Sequence, residues 1–486
     1  MDLNLKSHNI IIINNKKKYT IKEALEKINK NPIGYILFIN ANYELLGVIT
    51  EGDLRRLILN KKKLSSDLIK HINKKYFFID IHKKFSDNKI KSFSFVPILD
   101  QKKLINVIDN KNKIPVMSPN VNGNEAKYLK DCITSNWVSS QGNYVKKFEI
   151  EFAKFHKMKY ALSTSNGTAA LELVIKSLNL KKNSNILVPN LTFAAVINSV
   201  INCGHTPIIV DVDKKDWLLD LELAEKYLIK EKIKAIIFVH SYGITKDLSN
   251  FAKICSKLKI ELIEDCAESF GATANKKLTG TMGNLSIFSF FSNKLITTGE
   301  GGMALFKKKK QYDLAKTIRD HGMDLKKKYW HKQVGNNYRM TNLQAAIGCA
   351  QMERYDTFFK YRDKIKNMYS KYLKNNRFII LHPEPINKKT TYSYWIYTIL
   401  INKYKNYKQN KSLRDAIISH LKNFNIESRP FFYPLSDQPV YKKYKYLTQN
   451  NNSKYLSYSG LSLPSSYGIQ NKDIKKISII INNFVN

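Results

Sequence analysis

Between residues 161 and 306, short apolar strands alternate with amphipathic helical stretches, and this alternation constrains the fold more than any other feature of the chain. Helical patterns occupy residues 169–178, 221–229 and 248–258. Such alternation predicts an α/β domain whose mostly parallel sheet is covered by helices on both faces. The strand candidates, rich in Val, Ile and Phe, are residues 161–164, 185–188, 207–210, 235–239, 261–263, 286–290 and 303–306.

The 486 residues allow two to four domains. A polar linker at residues 109–113 precedes the alternating region, which a long helical pattern over residues 342–366 follows. The last part carries one strand pattern at residues 394–401 and a closing helix near residues 474–484. We predict three domains, covering residues 1–112, 113–370 (the large domain) and 371–486 (a small α/β domain).

The chain is strongly basic, with 81 Lys and Arg residues against 40 Asp and Glu residues. The excess is present both before and after residue 114, without a basic tail, zinc-ligand spacing or aromatic RNA-binding signature. We therefore expect solvated surface lysines rather than a nucleic-acid interface.

The five cysteines are scattered singly, which predicts no disulfide framework and no metal cluster. The apolar run at residues 10–13 is too short for a signal peptide, and no segment approaches the length of a membrane helix. We expect a cytoplasmic protein that does not associate with membranes.

A candidate anion site lies where the first strand of the alternating region ends. Ser165-Asn166-Gly167-Thr168 is a turn followed by a helix, whose free amides and positive dipole end suit a phosphate. An ordinary helix cap explains the same letters, so this pattern alone assigns no ligand.

Two further strands of the alternating region end in reactive side chains. Asp265 closes residues 261–265 at the sheet edge where open α/β folds bind ligands, and it can hold a protonated heterocyclic nitrogen or a metal, or cap a helix. Lys294 follows residues 286–290 and precedes a Gly-rich turn, where a half-buried lysine can have the lowered pKa that Schiff-base chemistry needs; an ordinary exposed lysine is the alternative in this Lys-rich chain. A phosphate cradle, an aspartate and a lysine in this order match the requirements of pyridoxal phosphate.

The same segments resemble the DegT/StrS family of sugar aminotransferases, which are fold-type I enzymes dependent on pyridoxal 5′-phosphate. Residues 264–268, Lys294 with residues 298–302, and residues 335–342 carry the resemblance, which extends from about residue 114 to the end of the chain. It implies that Lys294 is the Schiff-base lysine and proton carrier, and that Asp265 pairs with the pyridinium nitrogen. Lys294 also separates the transaminases from sugar 3-dehydratases of similar fold, in which a histidine replaces it.

The resemblance implies further cofactor contacts. Gly167, Thr168 and Ser289 would bind the phosphate, Phe193 would stack on the ring, and Glu268 would face the ring hydroxyl, where many members carry Gln or His. Asn337 would reach the phosphate in a neighbouring subunit, which implies a homodimer with shared active sites. Many members have Tyr where this chain has Asn336.

Residues 266–269, 290–294, 328–331 and 428–435 resemble the GDP-perosamine synthases within this family. These enzymes transfer an amino group from L-glutamate to C4 of GDP-4-dehydro-6-deoxy-D-mannose, in surface polysaccharide and O-antigen biosynthesis. UDP- or dTDP-linked 4-keto or 3-keto sugars remain alternatives. Aromatic and Arg side chains suit a nucleotide diphosphate sugar, and the candidate substrate contacts are Trp330, His331, Arg429, Phe431 and Tyr433.

The N-terminal region resembles a CBS module, a small domain that usually binds adenine nucleotides. A strand pair at residues 34–39 and 45–50, with residues 47–55 leading into a helix, carries the resemblance. It implies that Thr50 and Asp53 hold a ribose. A second, degenerate copy occupies residues 66–110. The module either senses a nucleotide or serves oligomerisation alone; the remaining alternative is a nucleotide-sensing regulator with an inactive cofactor domain.

Overall fold

In the computed structural model the described residues are 9–14, 17–31, 33–80, 93, 95–109, 113–324 and 326–486, and they form two compact units. One unit contains residues 1–114 and 419–427, and the other contains residues 115–418 and 428–486. The three predicted domains stay a prediction, and the predicted linker at residues 109–113 lies partly outside the described residues.

The first unit contains two three-stranded sheets of the same topology. Its elements are β1 (Ile10–Ile12), α1 (Ile21–Lys30), β2 (Tyr35–Ile39), β3 (Leu45–Thr50), α2 (Glu51–Leu59), β4 (Ile79–Asp80), β5 (Phe95–Asp100) and β6 (Lys103–Asp109). In each sheet a short first strand runs parallel to the second, and the second pairs antiparallel with the third. The pair β2 and β3 matches the strand pair predicted for the CBS module at residues 34–39 and 45–50.

The two sheets repeat the same pattern of strand pairing. Both hairpins change register at the same place, between Phe38 and Ile39 in one and between Ile98 and Leu99 in the other. The amide of Leu45 donates to the carbonyl of Lys102, and the amide of Leu104 donates to that of Tyr43. Apolar side chains of both hairpins form one shared core.

The second unit is built on an eight-stranded sheet in the order β19-β9-β8-β10-β11-β14-β15-β7. Only β15 runs against its neighbours β14 and β7. The strands are β7 (Tyr160–Thr164), β8 (Asn185–Pro189), β9 (Thr206–Val210), β10 (Ile233–Val239), β11 (Glu261–Asp265), β14 (Leu285–Ser289), β15 (Gly302–Phe306) and β19 (Tyr446–Leu447). This mostly parallel sheet confirms the predicted fold class.

Helices pack beside this sheet, and a smaller antiparallel sheet follows it. The helices are α3 (Glu125–Thr134), α4 (Asn143–Phe155), α5 (Gly167–Ser177), α6 (Ala195–Asn202), α7 (Leu221–Tyr227), α8 (Ser249–Lys257), α9 (Lys309–Arg319), α10 (Asn342–Met352), α11 (Tyr355–Leu373), α12 (Tyr407–Lys422), α13 (Asn452–Ser459) and α14 (Asn471–Val485). The small sheet has the order β16-β17-β20-β18, from β16 (Ile379–Leu381), β17 (Thr398–Ile401), β18 (Arg429–Pro430) and β20 (Gly460–Ser462); β12 (Thr273–Ala274) and β13 (Lys277–Leu278) form a separate hairpin.

Two predicted elements differ from the structure. The single helix expected over residues 342–366 is two helices, because the chain turns at Glu353 and Arg354, whose side chains bond to Asn124 and Asn120. The strand expected from residue 394 begins only at Thr398, because Tyr394 adopts a left-handed conformation with φ of 43°. Within the part of the chain that the structure describes, no helix is long and apolar enough to cross a bilayer.

Candidate functional site

A cavity of about 910 Å³ opens at the carboxyl edge of the large sheet. Strands β7, β8, β10, β11 and β14 run in the same direction, so the segments that follow them meet at this edge. Parallel strands place their ligand sites there. The predicted residues that line the cavity are Gly167, Thr168, Phe193, Asp265, Glu268, Ser289, Lys294, Asn337 and Arg429.

Lys294 lies on a loop that local hydrogen bonds hold firmly. Its amide donates to the carbonyl of Phe291, and the indole of Trp395 donates to the carbonyl of Asn293 over 2.7 Å. The Lys294 Nζ atom lies 3.9 Å from the centre of the Trp395 ring and 3.5 Å from Glu268 Oε1. The loop therefore fixes where the amine enters the cavity.

Burial sets the protonation of the three central groups. It lowers the pKa of the Lys294 amine, against the opposing effect of the Glu268 and Asp265 carboxylates. It also raises the pKa of Asp265 and of Glu268, against the opposing charge of Lys294. A lower pKa increases the share of neutral amine at a given pH, and the neutral amine is the form that acts as nucleophile and base.

Backbone donors and neighbouring strands orient the two carboxylates. Asp265 accepts from the amide of Ala267 over 3.0 Å, and Glu268 Oε2 accepts from the amide of Tyr242 over 2.7 Å. Tyr242 itself is left-handed, with φ of 57°. Glu268 therefore keeps one oxygen on the backbone and turns the other toward Lys294.

The turn before α5 forms an open cradle. Asn166 caps the helix by accepting from the amide of Ala169, which leaves the first amides, those of Gly167 and Thr168, without an intrahelical acceptor. A Cβ at Gly167 would lie 2.8 Å from the Cβ of Ser289, so the space between the turn and β14 exists only because residue 167 is glycine. The Ser289 hydroxyl borders the same space.

These residues fit pyridoxal phosphate. The cradle offers amide and hydroxyl donors for a phosphate, Asp265 offers a buried carboxylate for a ring nitrogen, and Lys294 offers an amine for the aldehyde. Phe193 is 59% exposed within the cavity, so its ring is available to cover a bound ring.

A buried cluster of three polar side chains next to Asp265 has a structural role rather than that of metal ligands. His240, Glu264 and Cys266 bring three potential metal ligands within 4.8 Å of one another. Glu264, however, accepts from His240 and from the amides of Gly280, Met282 and Gly283, which occupy its two oxygens.

The structure places some of the predicted substrate residues in the cavity wall and others outside it. Arg429 lines the cavity, whereas Trp330, His331 and Tyr433 are exposed outside its wall in this chain. Phe431 is only 1% exposed and stacks on Tyr242 in the core, so its ring does not line this cavity. The next residue, Phe432, lines the cavity instead, because successive side chains of an extended segment point to opposite sides.

Sequence reasoning missed Tyr242, Trp395, Phe432 and Glu172 in the cavity wall. Tyr242 precedes Gly243, whose φ of 83° makes the turn after β10 recognisable in principle. Trp395 comes from a segment more than a hundred residues away from Lys294, and no local pattern marks it.

Residues 119–482 match the DegT/DnrJ/EryC1/StrS aminotransferase family, and residues 16–60 match the CBS domain. The chain is 39% identical over 376 residues to the GDP-perosamine synthase of Vibrio cholerae, covering 77% of this chain and 99% of that protein. A solved GDP-4-keto-6-deoxymannose-3-dehydratase with bound GDP-perosamine is 25% identical, with a TM-score of 0.70 over 76% of this chain and 100% of that one. An E. coli dehydratase of the same kind, solved with hydrated pyridoxal phosphate, is 26% identical, with a TM-score of 0.69 over 76% and 99% of the two chains.

Proposed function

The chain belongs to the DegT/DnrJ/EryC1/StrS aminotransferase family, and from this membership we propose that it transfers an amino group from L-glutamate to C4 of GDP-4-dehydro-6-deoxy-D-mannose, giving GDP-perosamine. The observation that carries the proposal is that Lys294 lines the same cavity as a phosphate cradle and two buried carboxylates, one of which lies 3.5 Å from its amine. Similarity to a GDP-perosamine synthase over 99% of that enzyme's length supports this substrate.

The cofactor of the enzyme is pyridoxal 5′-phosphate, which supplies an electron sink when bound. Gly167, Thr168 and Ser289 would hold its phosphate, and Asp265 its ring nitrogen. The Asp265 carboxylate is buried, so its interaction with a protonated nitrogen is little screened by water.

Lys294 would move protons at the reacting carbon. The Lys294 side chain is only 14% exposed, and its amine can accept a proton when it is neutral. Glu268, with one oxygen 3.5 Å away, stabilises the ammonium once it forms. The same pair serves both halves of the reaction, since glutamate and the sugar in turn deliver and receive the amino group at one place.

Turnover on three nucleotide sugars tests the substrate. With L-glutamate as donor, formation of 2-oxoglutarate should be fastest with the GDP-linked 4-keto sugar, and mass spectrometry with NMR should find the new amine at C4. Faster turnover with UDP- or dTDP-linked sugars would overturn the GDP assignment, and an amine at C3 would overturn the position.

We propose a homodimer with shared active sites. In the segment before Asn337 large apolar side chains are exposed, namely Tyr329 (77%), Trp330 (53%) and Val334 (95%), and such clusters mark interaction surfaces. Asn337 is exposed, so its side chain can extend toward the phosphate site of a second chain. Trp330 and His331, which lie outside the cavity of their own chain, would then belong to the cavity of the neighbour.

We propose that the CBS module binds an adenine nucleotide at Thr50 and Asp53 and regulates the enzyme. In the structure these side chains form a capping box at the start of α2, with the Thr50 hydroxyl donating to Asp53 over 2.7 Å. The Thr50 hydroxyl and the Asp53 carboxylate are hydrogen-bonding groups that suit the hydroxyls of a ribose. The singly scattered cysteines suit a reducing compartment, so we place the enzyme in the cytoplasm, where its product would enter polysaccharide biosynthesis, including that of O-antigen.

The module offers its own control for this test. Thr20 and Glu23 form an equivalent capping box in α1. Thr20→Ala and Thr50→Ala should each cost about 1 kcal/mol of stability, but only Thr50→Ala should weaken the binding of AMP or ATP measured by calorimetry. Equal binding by both variants, or no binding by the wild type, would overturn the proposed nucleotide site.

A further inference from the structure

Arg362 is a buried arginine that has no acidic partner among the described residues. It lies on α11 and is 5% exposed. Its Nη1 atom donates a hydrogen bond to the sulfur of Met117 over 3.3 Å. Among the described residues no carboxylate lies within ion-pair distance of its guanidinium. A guanidinium keeps its proton in proteins, so this charge is buried without compensation.

The nearby acidic group is already used. Glu125 is 3% exposed; it accepts from the amide of Gly123 and from Gln351 and pairs with Arg354 at 3.9 Å. Burial lowers the pKa of Arg362 to about 9, and no carboxylate opposes that shift. Among the described residues, therefore, no carboxylate offsets the cost of burying this charge, and an anion bound beside it would.

A small cavity lies beside the guanidinium. Its volume is about 10 Å³, enough for a single water-sized particle and too small for a phosphate or a sulfate. Ser118, Asn120 and Tyr467 contribute to its wall, as does Arg362, and none of its lining residues is acidic. Lys294, Leu295 and Thr297 form another part of the wall, so the cavity borders the loop that carries the reactive lysine.

We propose that this small cavity is a halide site in which a chloride ion neutralises Arg362. The ion would sit against the Lys294–Thr297 segment, outside the large cavity, and would stabilise the loop that positions the amine. The site depends on the guanidinium and the enclosing wall, and it is independent of which nucleotide sugar the enzyme uses.

Anomalous diffraction from crystals of the full chain grown with bromide in place of chloride tests the site directly. The expected result is a bromide peak within contact distance of the Arg362 guanidinium. A water molecule at that position, or a carboxylate supplied by a second chain, would overturn the proposal.

Thermal unfolding gives a second readout. At constant ionic strength, replacing gluconate by chloride should raise the Tm of the wild type by a constant increment for each tenfold increase in chloride above its dissociation constant. Arg362→Met should lose this response. The control variant Arg354→Met removes a partly buried arginine that already has a carboxylate partner, and it should keep the response of Tm to chloride. An equal response in Arg362→Met would contradict the site, and if that variant does not fold, the bromide map of the wild type decides.

Discussion

At the scale of single residues, the chemistry depends on Lys294 and the carboxylate beside it. Replacing Lys294 by Ala should remove the yellow colour of the enzyme and lower kcat by a factor of about 10² to 10⁴ or more. The matched control is Lys307→Ala, since Lys307 lies outside the cavity wall. Retained colour and turnover in the Lys294 variant would show that another group holds the cofactor.

The Glu268 carboxylate affects the pKa of the Lys294 amine. Its charge raises the pKa of Lys294 against the effect of burial, so Glu268→Gln should lower that pKa further. The rate at which added pyridoxal phosphate forms the yellow enzyme depends on the neutral amine, and its rise with pH should therefore move to lower pH in the variant. A profile that stays in place, or moves to higher pH, would mean that Glu268 carries no charge next to Lys294.

Much of the site could be predicted at this scale. Asp265, Lys294, Gly167 and Ser289 lie next to strand ends in sequence, and the sheet brings such ends together. Trp395 could not be predicted, because its contact with Lys294 depends on packing between distant segments. Phe431 and Phe432 show another limit, since a pattern of aromatic letters does not say which ring faces the core.

At the scale of elements, the start of α5 controls the phosphate cradle. Gly167→Ala should weaken cofactor binding at least about tenfold. The added Cβ would lie 2.8 Å from the Cβ of Ser289, so the turn or β14 would have to move, and the phosphate cradle between them would change shape. Equilibrium titration with pyridoxal phosphate measures the effect. Gly52→Ala, at a helical site with only van der Waals neighbours at 3.7 Å, is the control and should leave cofactor binding unchanged.

The aromatic cluster at the end of α4 should make the large unit sensitive to acid. His156 packs among Phe152, Phe155, Phe270 and Phe288, and burial lowers its pKa to about 4. In the unfolded chain the histidine takes up a proton near pH 6.5. The contribution of neutral His156 to the free energy of unfolding is therefore complete above that pH and is lost as the pH falls toward 4. The total loss is about 3 kcal/mol.

Urea unfolding followed by tryptophan fluorescence measures this loss, because all four tryptophans lie between residues 137 and 395. His156→Phe should flatten the dependence of the unfolding free energy between pH 6.5 and pH 4, when each pH is compared with the same variant at pH 7. An unchanged slope would assign the acid sensitivity to other groups.

At this scale the strands and their order in sequence were predictable because each is a short apolar run. The break between α10 and α11 was not, since the residues at the bend are good helix formers and are held by side chains from residues 120–124. The late start of β17 has a similar cause, because nothing in the letters of residues 394–397 demands the left-handed Tyr394.

At the scale of the whole molecule, the account requires two chains for each active site. A dimer of Lys294→Ala chains and a dimer of Asn337→Ala chains should both be impaired. Hybrids of the two variants should each contain one intact site, so random reassociation should restore about a quarter of the wild-type activity. No gain on mixing would show that Asn337 serves the cavity of its own chain.

The measurement that tests the central proposal most directly is the absorption spectrum of the purified enzyme through two additions. L-Glutamate should bleach the yellow colour, and GDP-4-dehydro-6-deoxy-D-mannose should then restore it, since both halves of the reaction use the same lysine. Bleaching without restoration by this sugar, together with restoration by a UDP- or dTDP-linked 4-keto sugar, would contradict the proposed substrate. Absence of any yellow form after pyridoxal phosphate is added would contradict the role of Lys294 itself.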